Sequence, residues 1–203
     1  YDAAAIREPG LRVGADLSDL YMTMYQDNYK DTTYMPVYDY LHAVNPIKVG
    51  TDKMQATMKH ATAGLKITLT NKDGNKMDAS IAFARILVGN IASRLDYYTA
   101  EASDFTKTVA FPLTMSTDSM SMSANSTVMV FPSSDNPPLT IMLTLKNGLV
   151  KHFRKPLDNA LIAGNRLTLN ITLGELYSEE TSSDGFEVEN WTESTETIDF
   201  PAG

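Results

Sequence analysis

Two segments of the chain show a regular alternation of apolar and polar residues. Residues 65–70 read Leu-Lys-Ile-Thr-Leu-Thr, and residues 167–173 read Leu-Thr-Leu-Asn-Ile-Thr-Leu. Because successive side chains of a β-strand point to opposite faces, each segment can bury one face and expose the other. The pattern predicts strands of an antiparallel sheet that is packed on one side, as in a sandwich.

Turn signals between apolar runs extend this prediction. Residues 139–145 and 149–153 are joined at Asn147-Gly148, and Asn-Gly between two such runs is the strongest local indication of a β-hairpin. Residues 71–74 contain Asp-Gly and predict a second turn of hairpin type, followed by a strand over 77–88. In that strand we expect Ile81 and Phe83 on one face, with Arg85 as a further candidate. Since no long segment has a period of 3.6 residues, the expected fold is an all-β antiparallel β-sandwich with low helix content.

The length and the irregular start of the chain bound its organisation. At 203 residues the chain is long enough for a substantial core. We expect an irregular N-terminal region at 1–50, which can belong to an incomplete first sandwich, then a β-sandwich domain at 51–193 and a tail at 194–203. No apolar run approaches the roughly 18 residues that a membrane-spanning helix needs.

Charge and cysteine content exclude several classes of function. The formal net charge is −8 and the sequence pI is about 4.8, which argues against a nucleic-acid partner, because such a partner requires a basic surface. From Glu175 onwards there are seven Glu, two Asp and no Lys or Arg, an acidic end most simply explained as a solvated edge and tail. With no cysteine, disulfides, thiolate metal sites and Cys nucleophiles are excluded, and zero Cys is more typical of a bacterial protein.

The sequence contains no recognisable catalytic or metal-binding constellation. The three histidines, His42, His60 and His152, have no spacing typical of metal ligands, and His60 is better explained as a structural residue beside the core. There is no nucleophile elbow, no calcium loop and no phosphate-binding glycine loop. We therefore expect a non-enzymatic protein without a metal or cofactor, and a hydrolase on a β scaffold is a minor alternative.

Aromatic residues are the candidates for a contact surface. Tyrosine is enriched in protein interfaces, and the first forty residues hold a cluster of them; the candidates are Tyr21, Tyr25, Tyr29 and Tyr34. They can equally lie along a half-buried strand and loop. Trp191, the single tryptophan, can be either a platform for sugar stacking or a core residue at the end of the last strand, and the core is the simpler explanation.

Three segments together resemble the Bacteroidales fimbrillin-like family of type V pilins and fimbrial adhesins. They are 60–69, His-Ala-Thr-Ala-Gly-Leu-Lys-Ile-Thr-Leu; 162–173, in which Ala-Gly precedes an alternating strand; and 188–191, Val-Glu-Asn-Trp. The resemblance implies a transthyretin-like β-sandwich that is exported as an outer-membrane lipoprotein and displayed on the cell surface. It also implies trimming after an arginine near the N-terminus, for which Arg7 and Arg12 are the candidates, and assembly by strand exchange. A lipid anchor would lie on a removed N-terminal segment, since the lipobox cysteine is absent.

The expected function is that of a fimbrial subunit or adhesin-like structural protein. Strand exchange adds an edge strand from another chain, and the C-terminal residues Thr195, Thr197, Ile198 and Phe200 are candidates for such a donated strand, although a frayed terminus is the simpler explanation. The expected partners are other fimbrial subunits or a second copy, and a host or bacterial surface glycan or protein. The alternative function is a carbohydrate-binding β-sandwich module that uses exposed tyrosines and Trp191.

Overall fold

The computed structural model describes residues 4–7, 13–14, 16–24, 26–28, 32–46, 48, 50, 53–72, 74–173 and 186–195. In 4–7 and 186–195 the description concerns the backbone. Apart from one short 3₁₀ helix, Leu17–Asp19, the regular elements in these residues are strands. They are β1 (Ala4–Arg7), β2 (Tyr21–Met24), β3 (Gln26–Asn28), β4 (Thr33–Tyr34), β5 (Leu41–His42), β6 (Lys59–His60), β7 (Ala63–Asn71), β8 (Ile81–Ile91), β9 (Arg94–Asp96), β10 (Ala102–Ser103), β11 (Lys107–Met115), β12 (Ser121–Ser123), β13 (Val128–Val130), β14 (Pro138–Leu145), β15 (Val150–Pro156), β16 (Asn165–Leu173) and β17 (Phe186–Thr195).

The first sheet has four long antiparallel strands in the order β15-β14-β8-β11. Strand β14 alternates as the sequence predicts, and its buried residues are Leu139, Ile141, Leu143 and Leu145. The Asn147-Gly148 turn joins β14 to β15 as predicted, with Gly148 at a φ of 85°, a conformation that glycine adopts without steric cost. On the other side of β11, the short β4 pairs with it in parallel and β3 pairs with β4.

The second sheet is built around β7, with β12 and β13 on one side and β16, then β17, on the other. Strands β7 and β16 run parallel, with Leu65 opposite Leu167 and Ile67 opposite Leu169. Because β7 has no pairing with β8, the turn at 71–74 carries the chain from the second sheet to the first and does not form the expected hairpin.

Strand β11 connects the two sheets. Its residues up to Leu113 pair with β8, whereas Thr114 and Met115 pair with β12, which in turn pairs with β7. The strands therefore follow one continuous path from β15 to β17, folded into two layers over a common core. The core residues with essentially no exposure include Leu65, Ile67, Leu69, Ile86, Ile91, Leu95, Phe131, Leu139, Ile141, Leu143, Leu157 and Leu169. Burying one such Leu or Ile side chain contributes about 1.5–3 kcal/mol, so these rows dominate the stability. The predicted all-β sandwich with low helix content is confirmed.

Strand β8 departs from the predicted face. Ile81 is buried, but Phe83 is 43% exposed and Arg85 is half-buried, while Ala84 and Ile86 take the core positions. A register shift between Thr144 and Leu145, where β14 meets the start of β8, accounts for the change, because one extra residue moves every later side chain to the opposite face.

Strands from the first fifty residues pair with strands of the later chain. A small sheet has the order β1-β2-β9-β10, and a separate pair joins β5 to β6. Met24 and Val37 belong to the same core cluster as the two large sheets. The division of the chain at residue 50 stays a prediction. In the described part of the chain, no helix is long and apolar enough to cross a bilayer.

Candidate functional site

The free edge of β15 is the best-defined candidate for a contact between molecules. Within the described residues, β15 pairs with β14 and with no other strand. Its alternate residues Lys151, Phe153 and Lys155 lie opposite buried residues of β14 and are half-buried themselves. Residues directly opposite in a sheet share a face, so this edge presents a Lys-Phe-Lys row on the core-facing side. The two residues between them, His152 and Arg154, are exposed on the outer side.

The charged residues in the four long strands of the first sheet are all basic. Strands β8, β11, β14 and β15 contain no Asp or Glu. Their basic residues are Arg85, Lys107, Lys151, Arg154 and Lys155. This edge was not predicted from the sequence, although the run Lys-His-Phe-Arg-Lys, two residues after the predicted hairpin turn, would have indicated it.

The other end of the strand path has the opposite charge. Strand β17 contains three glutamates and no Lys or Arg, and pairs with β16 alone among the described residues. Of the 25 acidic residues, nine lie in 174–203, together with none of the 17 Lys and Arg. Residues 1–173 therefore hold 16 acidic and 17 basic residues, a formal charge of +1, so the last thirty residues carry the whole negative balance of the chain.

The predicted contact residues fall in different places. Tyr21 lies in β2 with the Arg94 guanidinium 5.5 Å from its ring centroid, and Tyr34 lies in β4 with the Lys107 ammonium 5.0 Å from its ring centroid. Trp191 belongs to β17, in the stretch where the register with β16 shifts. Tyr25 and Tyr29 lie outside the described residues.

The predicted processing and donor residues are only partly covered. Arg7 is the last residue of β1, opposite Tyr21. Thr195 is the last residue of β17, opposite Asn165. Arg12, Thr197, Ile198 and Phe200 lie outside the described residues.

His60 forms a small polar cluster at the start of β7. One carboxylate oxygen of Asp39, Oδ1, lies 2.9 Å from His60 Nδ1 and accepts a 2.9 Å hydrogen bond from the Thr62 hydroxyl. Because the hydroxyl donates to the carboxylate and not to the imidazole, the three side chains do not form a nucleophile-base-acid relay. The adjoining cavity, about 50 Å³, is of the order of a few water molecules. The arrangement suits a structural histidine that fastens residue 39 to the sheet. Within the described residues, no group of three or more His, Asp or Glu is placed to hold a metal ion.

Comparison with known families decides the identity of the chain. Residues 5–197 match the model of the family described as fimbrillin-A associated anchor proteins Mfa1 and Mfa2. The chain belongs to this family. The predicted resemblance to fimbrillin-like proteins is thereby confirmed, and the fimbrillin-A associated family places the protein among cell-surface, fimbria-associated proteins.

Solved structures support the same fold. The chain is similar to a candidate adhesin from Bacteroides ovatus, with a TM-score of 0.55 and 5% identity over 77% of this chain and 61% of that one. It is also similar to candidate polysaccharide-binding proteins from Bacteroides thetaiotaomicron, with a TM-score of 0.54 and 13% identity over 86% and 67%. A candidate adhesin from the same organism gives a TM-score of 0.51 and 9% identity over 84% and 65%. The chain thus spans about two thirds of the length of these structures. No curated protein sequence matches it.

Proposed function

We propose that this protein is a non-enzymatic structural subunit of a cell-surface fimbria, and that it joins a neighbouring subunit by β-strand exchange. In this proposal the acidic C-terminal segment of one subunit adds to the basic β15 edge of the next. The observation that carries it is the opposite charge at the two ends of one strand path, β15 at one end and β17 at the other.

Strand addition needs an edge that offers unpaired backbone groups, and β15 has such an edge in the described structure. An open edge also invites pairing between identical strands, which proteins oppose by placing lysine there, including charged side chains that point inward. Lys151 and Lys155 oppose pairing of this edge with the β15 strand of a second copy. The same two lysines favour a strand with carboxylates, so the edge discriminates between partners by repelling one and attracting the other.

The predicted donor has a matching spacing. Residues 195–200 read Thr-Glu-Thr-Ile-Asp-Phe, so one face of an extended strand carries Glu196, Ile198 and Phe200. Set against the Lys-Phe-Lys row of β15, this face can pair Glu196 with a lysine and pack Ile198 on Phe153. Main-chain hydrogen bonds would then supply the affinity, and the alternating side chains the specificity.

A charge-reversal experiment tests the proposal. Replacing Lys151 and Lys155 with glutamate should weaken self-association of the full chain at least about tenfold, because the contact with Glu196 becomes repulsive and the whole edge takes the same sign of charge as the donor segment. The matched control is Lys53→Glu, an exposed lysine outside both sheets, which should leave association unchanged. Sedimentation velocity measures the oligomer distribution.

Restoring complementarity provides the second arm of this experiment. A chain with Glu196→Lys should associate with the β15 double variant better than with the unchanged protein. Equal association of the β15 double variant, the control and the unchanged protein would contradict the proposed acceptor edge.

N-terminal trimming would accompany assembly in this proposal. Arg7 is the last residue of β1, and the described pairing of β1 is with β2 alone. Cleavage after Arg7 would therefore cut the chain between β1 and all the strands that follow. The mass and N-terminal sequence of protein taken from its native cell surface test this. A start at residue 8 or 13 supports trimming at Arg7 or Arg12, and a start elsewhere contradicts it. Attachment to the outer membrane through a lipid anchor is part of the same proposal and applies to the protein before trimming.

Glycan binding is a second candidate function. It is favoured by a polar cavity beside Tyr21, and one structural neighbour is itself described as a polysaccharide-binding candidate.

A further inference from the structure

A cavity of about 280 Å³ lies between the 3₁₀ helix Leu17–Asp19 and the outer face of the small sheet. This volume approaches the lower end of the range for small-molecule sites, roughly 300–1,000 Å³. The cavity is distinct from the β15 edge, and its lining draws on β2, β9 and β10.

Sheet register explains why the lining residues meet. Tyr21 of β2 is opposite Asp96 of β9, and Arg94 of β9 is opposite Ser103 of β10. Opposite residues share a face, and residues two apart in one strand share it too, so all four lie on one side of the sheet. Leu95, between Arg94 and Asp96, is fully buried on the other side. Burial of Leu95 in the core thus holds β9 in the orientation that places Arg94 and Asp96 on the cavity side.

The Arg94 side chain is positioned but not neutralised. Its Nε donates a 3.1 Å hydrogen bond to the Ser103 hydroxyl, and its guanidinium lies 5.5 Å from the Tyr21 ring centroid. Asp19 and Asp96 line the same cavity, yet neither forms an ion pair with Arg94 within 4.0 Å. The remaining guanidinium N–H groups have no hydrogen-bond partner among the described residues. The Arg94 guanidinium and the carboxylates of Asp19 and Asp96 therefore face one cavity without forming hydrogen bonds to each other.

Asp96 has one oxygen fixed by its own turn. Its Oδ1 accepts hydrogen bonds from the backbone amides of Tyr98 at 2.8 Å and Thr99 at 2.6 Å, and from the Thr99 hydroxyl at 3.0 Å. These bonds, the Thr99 amide foremost, lower the pKa of this carboxyl below its ordinary value, so Asp96 is ionised at neutral pH. Since all three bonds use Oδ1, Oδ2 has no hydrogen-bond partner within the described part of the chain.

The mixture of charges selects the class of ligand. A simple anion would meet two carboxylates for one guanidinium, and a metal ion would meet that guanidinium, so both are disfavoured. An apolar ligand would leave the charged groups desolvated and unpaired. A neutral polyhydroxylated ligand suits the cavity, because each hydroxyl group can donate to a carboxylate and accept from Arg94. The ring of Tyr21 adds an apolar surface for the C–H face of a sugar ring.

We propose that this cavity binds one neutral hexose unit of a surface glycan, held by Arg94, Asp19 and Asp96 beside Tyr21. The proposal deepens the second candidate function, glycan binding, and is independent of strand exchange. It gives the protein an adhesive site on a face separate from the edge that joins subunits.

Saturation-transfer NMR on the full chain tests the proposal. The probes are the methyl glycosides of glucose, galactose, mannose and glucuronic acid. Arg94→Gln and Asp19→Asn should each weaken binding of the preferred neutral glycoside at least about tenfold. The controls are Lys146→Gln and Asp158→Asn, which remove one charge of each sign at exposed positions outside the cavity and outside β15, and should leave binding unchanged.

Each other outcome overturns a specific part of the proposal. If no glycoside receives saturation, the candidate function of glycan binding fails. If a neutral glycoside binds but the Arg94 and Asp19 variants bind it equally well, glycan binding stands and this site fails. If the glucuronide binds more tightly than every neutral glycoside, the choice of a neutral ligand is wrong. In all three cases the strand-exchange proposal is unaffected.

Discussion

Strands β15 and β17 end the same strand path, and both have a single strand neighbour within the described residues, yet their sequences have opposite character. In β15, lysines flank Phe153 in the row that faces the core, and the outer positions hold His152 and Arg154. In β17, three glutamates and no basic residue occupy ten positions. The backbone of either edge can accept another strand. What differs is the charge that the arriving strand must carry.

In the proposed assembly, this difference would make polymerisation directional. Two like edges repel each other, since lysines would meet lysines or glutamates would meet glutamates, whereas unlike edges attract. A contact between unlike surfaces is heterologous, and heterologous contacts propagate into fibres where the geometry does not close a ring. On this proposal, the charge contrast would disfavour symmetric dimers and favour head-to-tail growth.

Removing the proposed donor should have the largest effect. A chain without residues 196–203 keeps all the described strand pairs of β17 but lacks Ile198 and Phe200. We expect it to be monomeric and as stable to urea as the unchanged chain. Size-exclusion chromatography with light scattering measures the mass. Oligomers of unchanged size would show that the acidic end is a frayed terminus.

Shortening Phe153 should have the next largest effect. The Phe153→Ala change removes the apolar contact of the β15 row, and we expect association to weaken about tenfold, the equivalent of about 1.4 kcal/mol. The matched control is Phe83→Ala, because Phe83 is an exposed phenylalanine in a central strand of the same sheet. If both variants associate equally well, the core-facing row of β15 has no part in the contact.

Salt should weaken assembly by a smaller factor. Raising sodium chloride from about 0.1 M to about 1 M shortens the Debye length from about 10 Å to about 3 Å, which screens exposed charge pairs. We expect several-fold weaker association of the unchanged chain, and the opposite trend in the variant with Lys151→Glu and Lys155→Glu, where salt screens a repulsion. Sedimentation velocity at each concentration measures both. Stronger association of the unchanged chain at high salt would mean that apolar contact, not edge charge, governs assembly.

The smallest expected effect is on the pH dependence of folding stability, and it arises in the small sheet. It distinguishes loss of folding in acid from loss of assembly. Hydrogen bonds from the Thr99 and Tyr98 amides lower the pKa of Asp96 in the folded state. A lowered folded pKa contributes stability above the unfolded value, about 3.9, and that stability is lost as pH falls through the folded value. Urea unfolding should therefore show a smaller loss of stability below about pH 4 in Asp96→Asn than in the unchanged chain. An identical pH dependence would mean that these bonds do not persist in solution.

Local features of the fold were predictable, and the pairing of distant strands was not. The hairpin at Asn147-Gly148 depends on turn chemistry that lies within the segment itself. The alternation at 65–70 and 167–173 indicated two strands, but it is the same whether the strands pair in parallel or not. Their parallel pairing depends on the route of the chain through the other sheet, which no local pattern encodes.

The candidate sites show the same limit. Tyr21 was a candidate from its residue type alone, whereas Arg94 and Asp96 gave no signal, since register brings them to Tyr21 across a gap of more than seventy residues in sequence. The predicted face of Ile81, Phe83 and Arg85 failed because an irregularity in pairing with β14 shifts the alternation. The acidic C-terminal end was visible in the sequence, but its basic counterpart became apparent only when β15 was seen to be an edge strand.

Cross-linking between two single-cysteine chains tests the central claim most directly, since the chain has no cysteine of its own. One chain carries Phe153→Cys and the other Ile198→Cys, the two positions that the proposed pairing sets opposite each other. A disulfide between the two can form only between molecules, and only where the Cα atoms approach within about 7 Å. Strand exchange predicts a heterodimeric cross-link under mild oxidation, whereas a control acceptor with Met54→Cys, an exposed residue outside both sheets, should give none. If Phe153→Cys cross-links no better than the control, and placing the cysteine at Lys151 or Lys155 gives the same result, the β15 edge is not the acceptor.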